Sequence, residues 1–205
     1  MAYALIVART LPAREPGVPV PILLAGAETL VDDGWSVSVL AVSRAGGDDA
    51  RALALGTRGI EAFVLPAVGA AGDRTVLAER ELLASPEPDL VIFDGWELAH
   101  RLMPDVVECA PRAARLLAER DHGLVGHISW RLGDPGARLD ATDAGSVADQ
   151  LNVMRDVDVV ASESPSEAEV VDLLTASPGL ARLLTPAMGD LVDLALERAE
   201  AKARA

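Results

Sequence analysis

Seven short apolar runs recur along the chain, each followed by helical spacing: Tyr3–Ala8, Ser36–Ala41, Glu61–Leu65, Leu90–Phe93, Ala114–Leu117, Val157–Ala161 and Ala181–Leu184. Most lack the in/out alternation of a sheet with one wet face. Strands buried on both sides lose that alternation, because helices cover both faces of a parallel sheet. The pattern predicts an α/β fold: a Rossmann-like three-layer domain with a mostly parallel sheet of about seven strands. In such folds ligands bind beyond the carboxyl ends of the strands.

The intervening segments read as helices at about 21–33, 49–55, 74–84, 97–108, 144–155, from Ser164 onward, and 190–203. Pro21 suits a helix start, where a missing N–H costs nothing. Gly34 suits a helix end, where the backbone turns left-handed. The stretch from Arg9 to Pro21 holds four prolines, at 12, 16, 19 and 21, and the single Gly17. It reads as a long loop after the first strand. Residues 123–143 are the least regular. No linker or repeat splits the chain, so residues 1–188 are expected to form one domain, with 189–205 a helix packed on it.

Composition narrows the classes. Half of the residues are hydrophobic but only 3% are aromatic, so the core must be built from Ala, Val and Leu. The formal net charge of −14 repels a polyanion, which argues against nucleic acid as a partner. No run approaches the ~18 apolar residues of a membrane helix. The start of the chain does not resemble a signal peptide. No membrane insertion and a cytoplasmic location are expected. Cys109 is the only cysteine and reads as a buried structural thiol.

Several residues carry candidate chemistry. Asp94 directly follows Leu-Val-Ile-Phe, where a carboxylate can bind a ligand hydroxyl. It can equally cap a helix beginning near Glu97, with Gly95 easing the turn. Asp121 and His122 follow the fifth run. A carboxylate beside an imidazole can orient it as a general base, and the plain alternative is a surface turn. Ser164-Pro-Ser-Glu167 fits a capping box, and the same strand-to-helix turn can present backbone donors to an anion. Trp96 and Trp130 read as loop residues able to stack on a flat ligand, or simply to pack. The three histidines have no metal-ligand spacing. Neither a Gly-x-Gly-x-x-Gly turn nor a Gly-Lys-Ser/Thr is present, so neither a dinucleotide nor any other cofactor is expected. No Gly-x-Ser-x-Gly elbow occurs either.

Four stretches together resemble the acceptor-side, N-terminal half of a GT-B-fold glycosyltransferase, close to glycosyltransferase family 4. They are the first strand, its loop and the helix ending Leu-Val-Asp-Asp-Gly34-Trp-Ser-Val-Ser-Val-Leu40; Pro88-Asp89-Leu-Val-Ile-Phe-Asp94; Ala113-Ala-Arg-Leu-Leu with Asp121-His122 beyond it; and Val157-Asp158-Val-Val-Ala-Ser-Glu-Ser164-Pro-Ser-Glu167. The likeness extends over residues 1 to about 188. The chain departs from it in a proline-rich first loop, in Trp35 after Gly34 and in Ala118 after the fifth run.

The resemblance implies half of a GT-B fold. Asp121 and His122 would be its catalytic pair, and Gly17, Asp94, Trp96, Ser164 and Glu167 its ligand-binding residues, with no metal. A sugar or other small-molecule acceptor is expected. The donor-binding half would be lacking, so the chain would act with a separate donor-binding chain or be a degenerate relative. Two further readings stand beside it: a non-catalytic α/β interaction or binding protein, and a small flavodoxin-like enzyme with an unrelated site.

Overall fold

In a computed structural model of the chain, the described residues are 1–65, 80, 84, 86–119, 141–162, 164–185 and 188–204, with only the backbone of 141–144. Seven strands form one wholly parallel sheet: β1 (Tyr3–Ala8), β2 (Ser36–Ala41), β3 (Ile60–Val64), β4 (Leu90–Asp94), β5 (Ala114–Glu119), β6 (Val159–Ser162) and β7 (Ala181–Leu183). Their order is β3-β2-β1-β4-β5-β6-β7. Every predicted run is a strand, and the ends differ by one or two residues.

Six helices are described: α1 (Ile22–Asp32), α2 (Asp48–Gly56), α3 (Trp96–Cys109), α4 (Ala141–Asp156), α5 (Pro165–Thr175) and α6 (Gly189–Arg204). Period-2 alternation sorts the strand side chains between two layers. Ala4, Ile6 and Ala8 of β1 pack with α1, α2 and α6, while Tyr3, Leu5 and Val7 pack with α3, α4 and α5. Both layers are apolar, so the central strands read as unbroken hydrophobic runs. Among the described residues, Phe93 is the bulkiest fully buried side chain.

Local chemistry explains the element ends. At the end of α1 the Gly34 N–H donates to the Val31 carbonyl and the Trp35 N–H to that of Leu30, both at 2.9 Å. This is a Schellman motif, and the φ of +85° at Gly34 is why glycine stands there. Pro21 caps α1 from one residue outside rather than opening its first turn.

α6 covers the face that α1 and α2 leave open, burying Leu191, Val192 and Ala195. Gly26 of α1 lies so close to the buried Met188 that an added Cβ would overlap its sulfur. Asp158 is 3% exposed and anchors this corner. Its carboxylate accepts the Arg115 N–H at 2.9 Å and pairs with Lys202 at 2.6 Å, while its carbonyl accepts from Arg198 at 2.9 Å. Arg198 also donates to the Gly179 carbonyl at 2.6 Å. Burial, then the neighbouring Arg182, lowers the pKa of Arg198 from its ordinary value.

Cys109 ends α3 half-buried, packed against the edge of the α3-side core and more open than the expected buried thiol. Among the described residues, no helix is long and apolar enough to cross a membrane.

Candidate functional site

Parallel strands place every carboxyl end along one edge of the sheet. Chain order reverses between β1 and β4, and loops diverging at such a reversal leave a crevice. A cleft of about 350 Å³ opens there. Ile6 and Ala8 of β1, Val39 of β2 and Leu23 of α1 form its apolar base. These residues belong to the α1-side layer, so the cleft lies over that face. Thr10, Glu15 and Val18 of the proline-rich loop wall it, and Asp94 and Arg51 complete the lining.

The loop has a definite shape. Leu11 is 2% exposed and plugs into the α1-side core, which pins the first half of the loop. The second half turns at Gly17, whose φ of +78° needs glycine, and the Val18 N–H donates to the Glu15 carbonyl at 3.2 Å. Gly17 thus sits in the rim turn between two lining residues. Asp94, the half-buried last residue of β4, lines the cleft itself. The helix after it starts at Trp96 and its cap is Gly95, with φ of +100° and no side-chain cap bond. Asp94 therefore does not take the capping role, which needs a residue one place closer to the helix.

Trp96, Ser164 and Glu167 are not in the lining of the cleft. Trp96 is the first residue of α3, not a loop residue, because Gly95 makes the turn alone. Its half-buried ring packs on the α3–α5 layer, 6.4 Å from that of His100. Ser164 caps α5: its hydroxyl accepts the Glu167 N–H at 3.3 Å, and Glu167 accepts the Ser164 N–H at 3.2 Å. The box is complete as the sequence predicts. Ser164 follows β6, which β5 separates from β4, so it does not join Asp94 in the cleft. Asp121, His122, His127 and Trp130 lie outside the described residues. Among the described residues, no cluster of three or more ligating side chains could hold a metal ion.

Sequence reasoning missed Thr10, Glu15 and Arg51. The signal was the loop itself: connections from strand to helix in α/β units usually take ~2–6 residues, and much longer ones tend to be functional. Arg51 comes from α2 and is paired with Asp48 at 3.4 Å, a placement no local pattern announces. Chemically, two carboxylates and a hydroxyl over an apolar base can accept hydrogen bonds from a neutral ligand's hydroxyl groups. The same carboxylates oppose a phosphate.

Neither a family model nor a curated protein matches the sequence. Solved structures match in fold. Glycyrrhiza uralensis UGT73P12, complexed with glycyrrhetinic acid 3-O-monoglucuronide, superposes with a TM-score of 0.54 at 11% identity, over 91% of this chain and 49% of its own. Anabaena Alr3699/HepE, in complex with UDP and glucose, gives 0.50 at 14% identity, over 89% and 44%. Pseudomonas aeruginosa RhlG, in an active-site complex with NADP, gives 0.49 at 16% identity, over 97% and 88%. The chain spans about half the length of the first two. At these identities the likeness shows the fold alone: Rossmann-like, and similar to that of glycosyltransferases.

Proposed function

We propose that this chain is the acceptor-binding half of a glycosyltransferase-like enzyme of GT-B type, related to family 4. Its partner in the reaction would be a donor-binding half on a separate chain. The observation that carries the reading is the cleft at the β1/β4 reversal, walled by Glu15 and Asp94. A carboxylate accepts several hydrogen bonds at once, which suits a sugar or polyol with adjacent hydroxyls. Asp121 and His122 are the proposed proton-accepting pair. Gly17 shapes the rim, and Ser164 and Glu167 are proposed to hold the β6–α5 turn toward the donor side. Trp96 is proposed to flank the ligand edge.

Neutral polyols test the binding reading: methyl glucoside, inositol and glycerol, titrated while backbone amide shifts are followed. Shifts confined to 8–21 and 94, lost in Asp94→Asn, are expected. A response to UDP-glucose or NADPH in place of the polyols would overturn the reading. The isolated chain should transfer no sugar from a nucleotide-sugar donor, and robust turnover by it would overturn the two-part arrangement.

A further inference from the structure

Beside the cleft, between α1 and α2, lies a second hollow of about 220 Å³. Its floor is apolar. Leu24 and Leu55 are each 2% exposed, and Ala50 and Ala54 keep the α2 wall low. Three guanidinium groups line it: Arg14, Arg51 and Arg58. Two of them share one carboxylate, since Glu28 accepts from Arg14 at 2.5 Å and also pairs with Arg58. Arg51 has Asp48. Three guanidinium groups thus meet two paired carboxylates in this hollow, on a chain whose net charge is −14.

The hollow and the cleft adjoin, sharing Pro12, Ala13 and Arg51 in their linings. The hollow alone is smaller than the ~300–1,000 Å³ of most small-molecule sites. Joined to the cleft it falls within that range. The polarity changes along the joined path: carboxylates at the cleft end, an apolar floor, then arginines. Val18, an exposed apolar side chain of the loop, lines the cleft end of this path.

We propose that the ligand is an amphiphile carrying a carboxylate. Its hydroxylated end enters the cleft beside Asp94, and its apolar body lies on the floor between α1 and α2. Its acid group sits among Arg14, Arg51 and Arg58, whose planar forks match a carboxylate's two oxygens. The hydroxyl end rests on the acceptor reading above; the hollow's preference for an anionic amphiphile does not.

The full chain is titrated with decanoate, decanol and decyltrimethylammonium, each below its micelle concentration, with amide shifts as the readout. Decanoate should shift α1 and α2 and bind about fivefold or more tighter than decanol, as one or two partly screened charge contacts allow. The ammonium compound should shift neither helix. Ala54→Trp and, independently, Ala50→Trp should abolish decanoate binding by filling the floor. Arg14→Gln combined with Arg58→Gln should bring decanoate to the level of decanol. Equal binding of decanoate and decanol, or no shift in α1 and α2, overturns the inference on the unaltered protein. Polyol shifts in the cleft without decanoate binding sink this inference alone. Decanoate binding without polyol shifts sinks the acceptor reading and leaves the hollow as an anion-amphiphile site.

Discussion

Two strand-to-helix junctions share one sheet edge and are built by opposite rules. Between β6 and α5 the chain turns quickly, Ser164 and Glu167 satisfy each other's backbone, and Pro165 sits in the first helical turn. Asp172 then fastens the far end of α5, accepting the Gly179 N–H at 2.5 Å and the Ala181 N–H at 2.7 Å. Between β1 and α1 the chain wanders from Arg9 to Pro21, and its helix starts without a side-chain cap. The first junction spends its polar groups on itself. The second turns the Glu15 carboxylate and the Thr10 hydroxyl toward a cleft, which Asp94 of β4 also lines. A closed junction holds a fold, whereas an open one can hold a ligand.

The largest expected effect lies at the far end of β6 from the closed junction. Asp158→Ala would strip the Arg115 N–H of its acceptor at a buried site, while the more exposed Lys202 keeps the Val157 carbonyl. A loss of about 2–3 kcal/mol is expected, toward the upper end of the cost of an orphaned buried group. Chemical denaturation measures it, and a loss below that of an ordinary surface substitution would show that the β6 corner is not tied as described. Ser164→Ala follows, at about 1 kcal/mol for a lost helix cap. Polyol binding should be unchanged in it; weakened binding would mean that the closed junction serves the ligand after all.

On the open side the sign of the outcome reverses. Asp94→Asn, at the end of β4 and in the lining of the same cleft, should cost less stability than Asp158→Ala, yet abolish the polyol response. Lost stability with intact binding would exchange the roles of the two junctions.

The smallest expected effect is at the other end of β1. Burial raises the Tyr3 phenol pKa from 10.0, opposed by a Ser38 hydrogen bond and reinforced by the charge of Glu61. The unfolded chain therefore ionises first. The contribution is intact below pH 10.0 and is lost as pH rises through the higher folded value. Tyr3→Phe should flatten the decline of the urea midpoint in that window. A decline as steep as that of the unaltered protein would assign it to other groups.

The same contrast explains what could be read from the sequence. Rules that act within a few residues were legible: apolar runs became β1 to β7, Gly34 ended α1, and Ser164 to Glu167 formed their box. Asp94 was legible as a position, since a carboxylate ending a buried run must stand at the sheet edge. Glu15 and Arg51 were not, because a proline-rich loop and the second helix meet the cleft only through tertiary packing. Leu11 was hidden for the same reason, being a lone apolar residue with no periodic neighbours. The capping alternative for Asp94 failed because Gly95 itself takes the cap position, and helix ends vary by a residue or two in any reading.

α6 lies on the α1 side of the sheet, although the three helices before it lie on the other. During synthesis β1, β2 and their connecting helix emerge together and can pair through nearby contacts. Strands β4 to β6 emerge with one apolar face bare. Among the described residues, it is 189–204 that dock Leu191 and Ala195 on that face and bring Lys202 to Asp158. Contacts that close late in a chain are slow to form and leave sticky surface exposed meanwhile. The chain thus draws most of its cleft lining from its first 51 residues and the cover of its opposite half from its last helix.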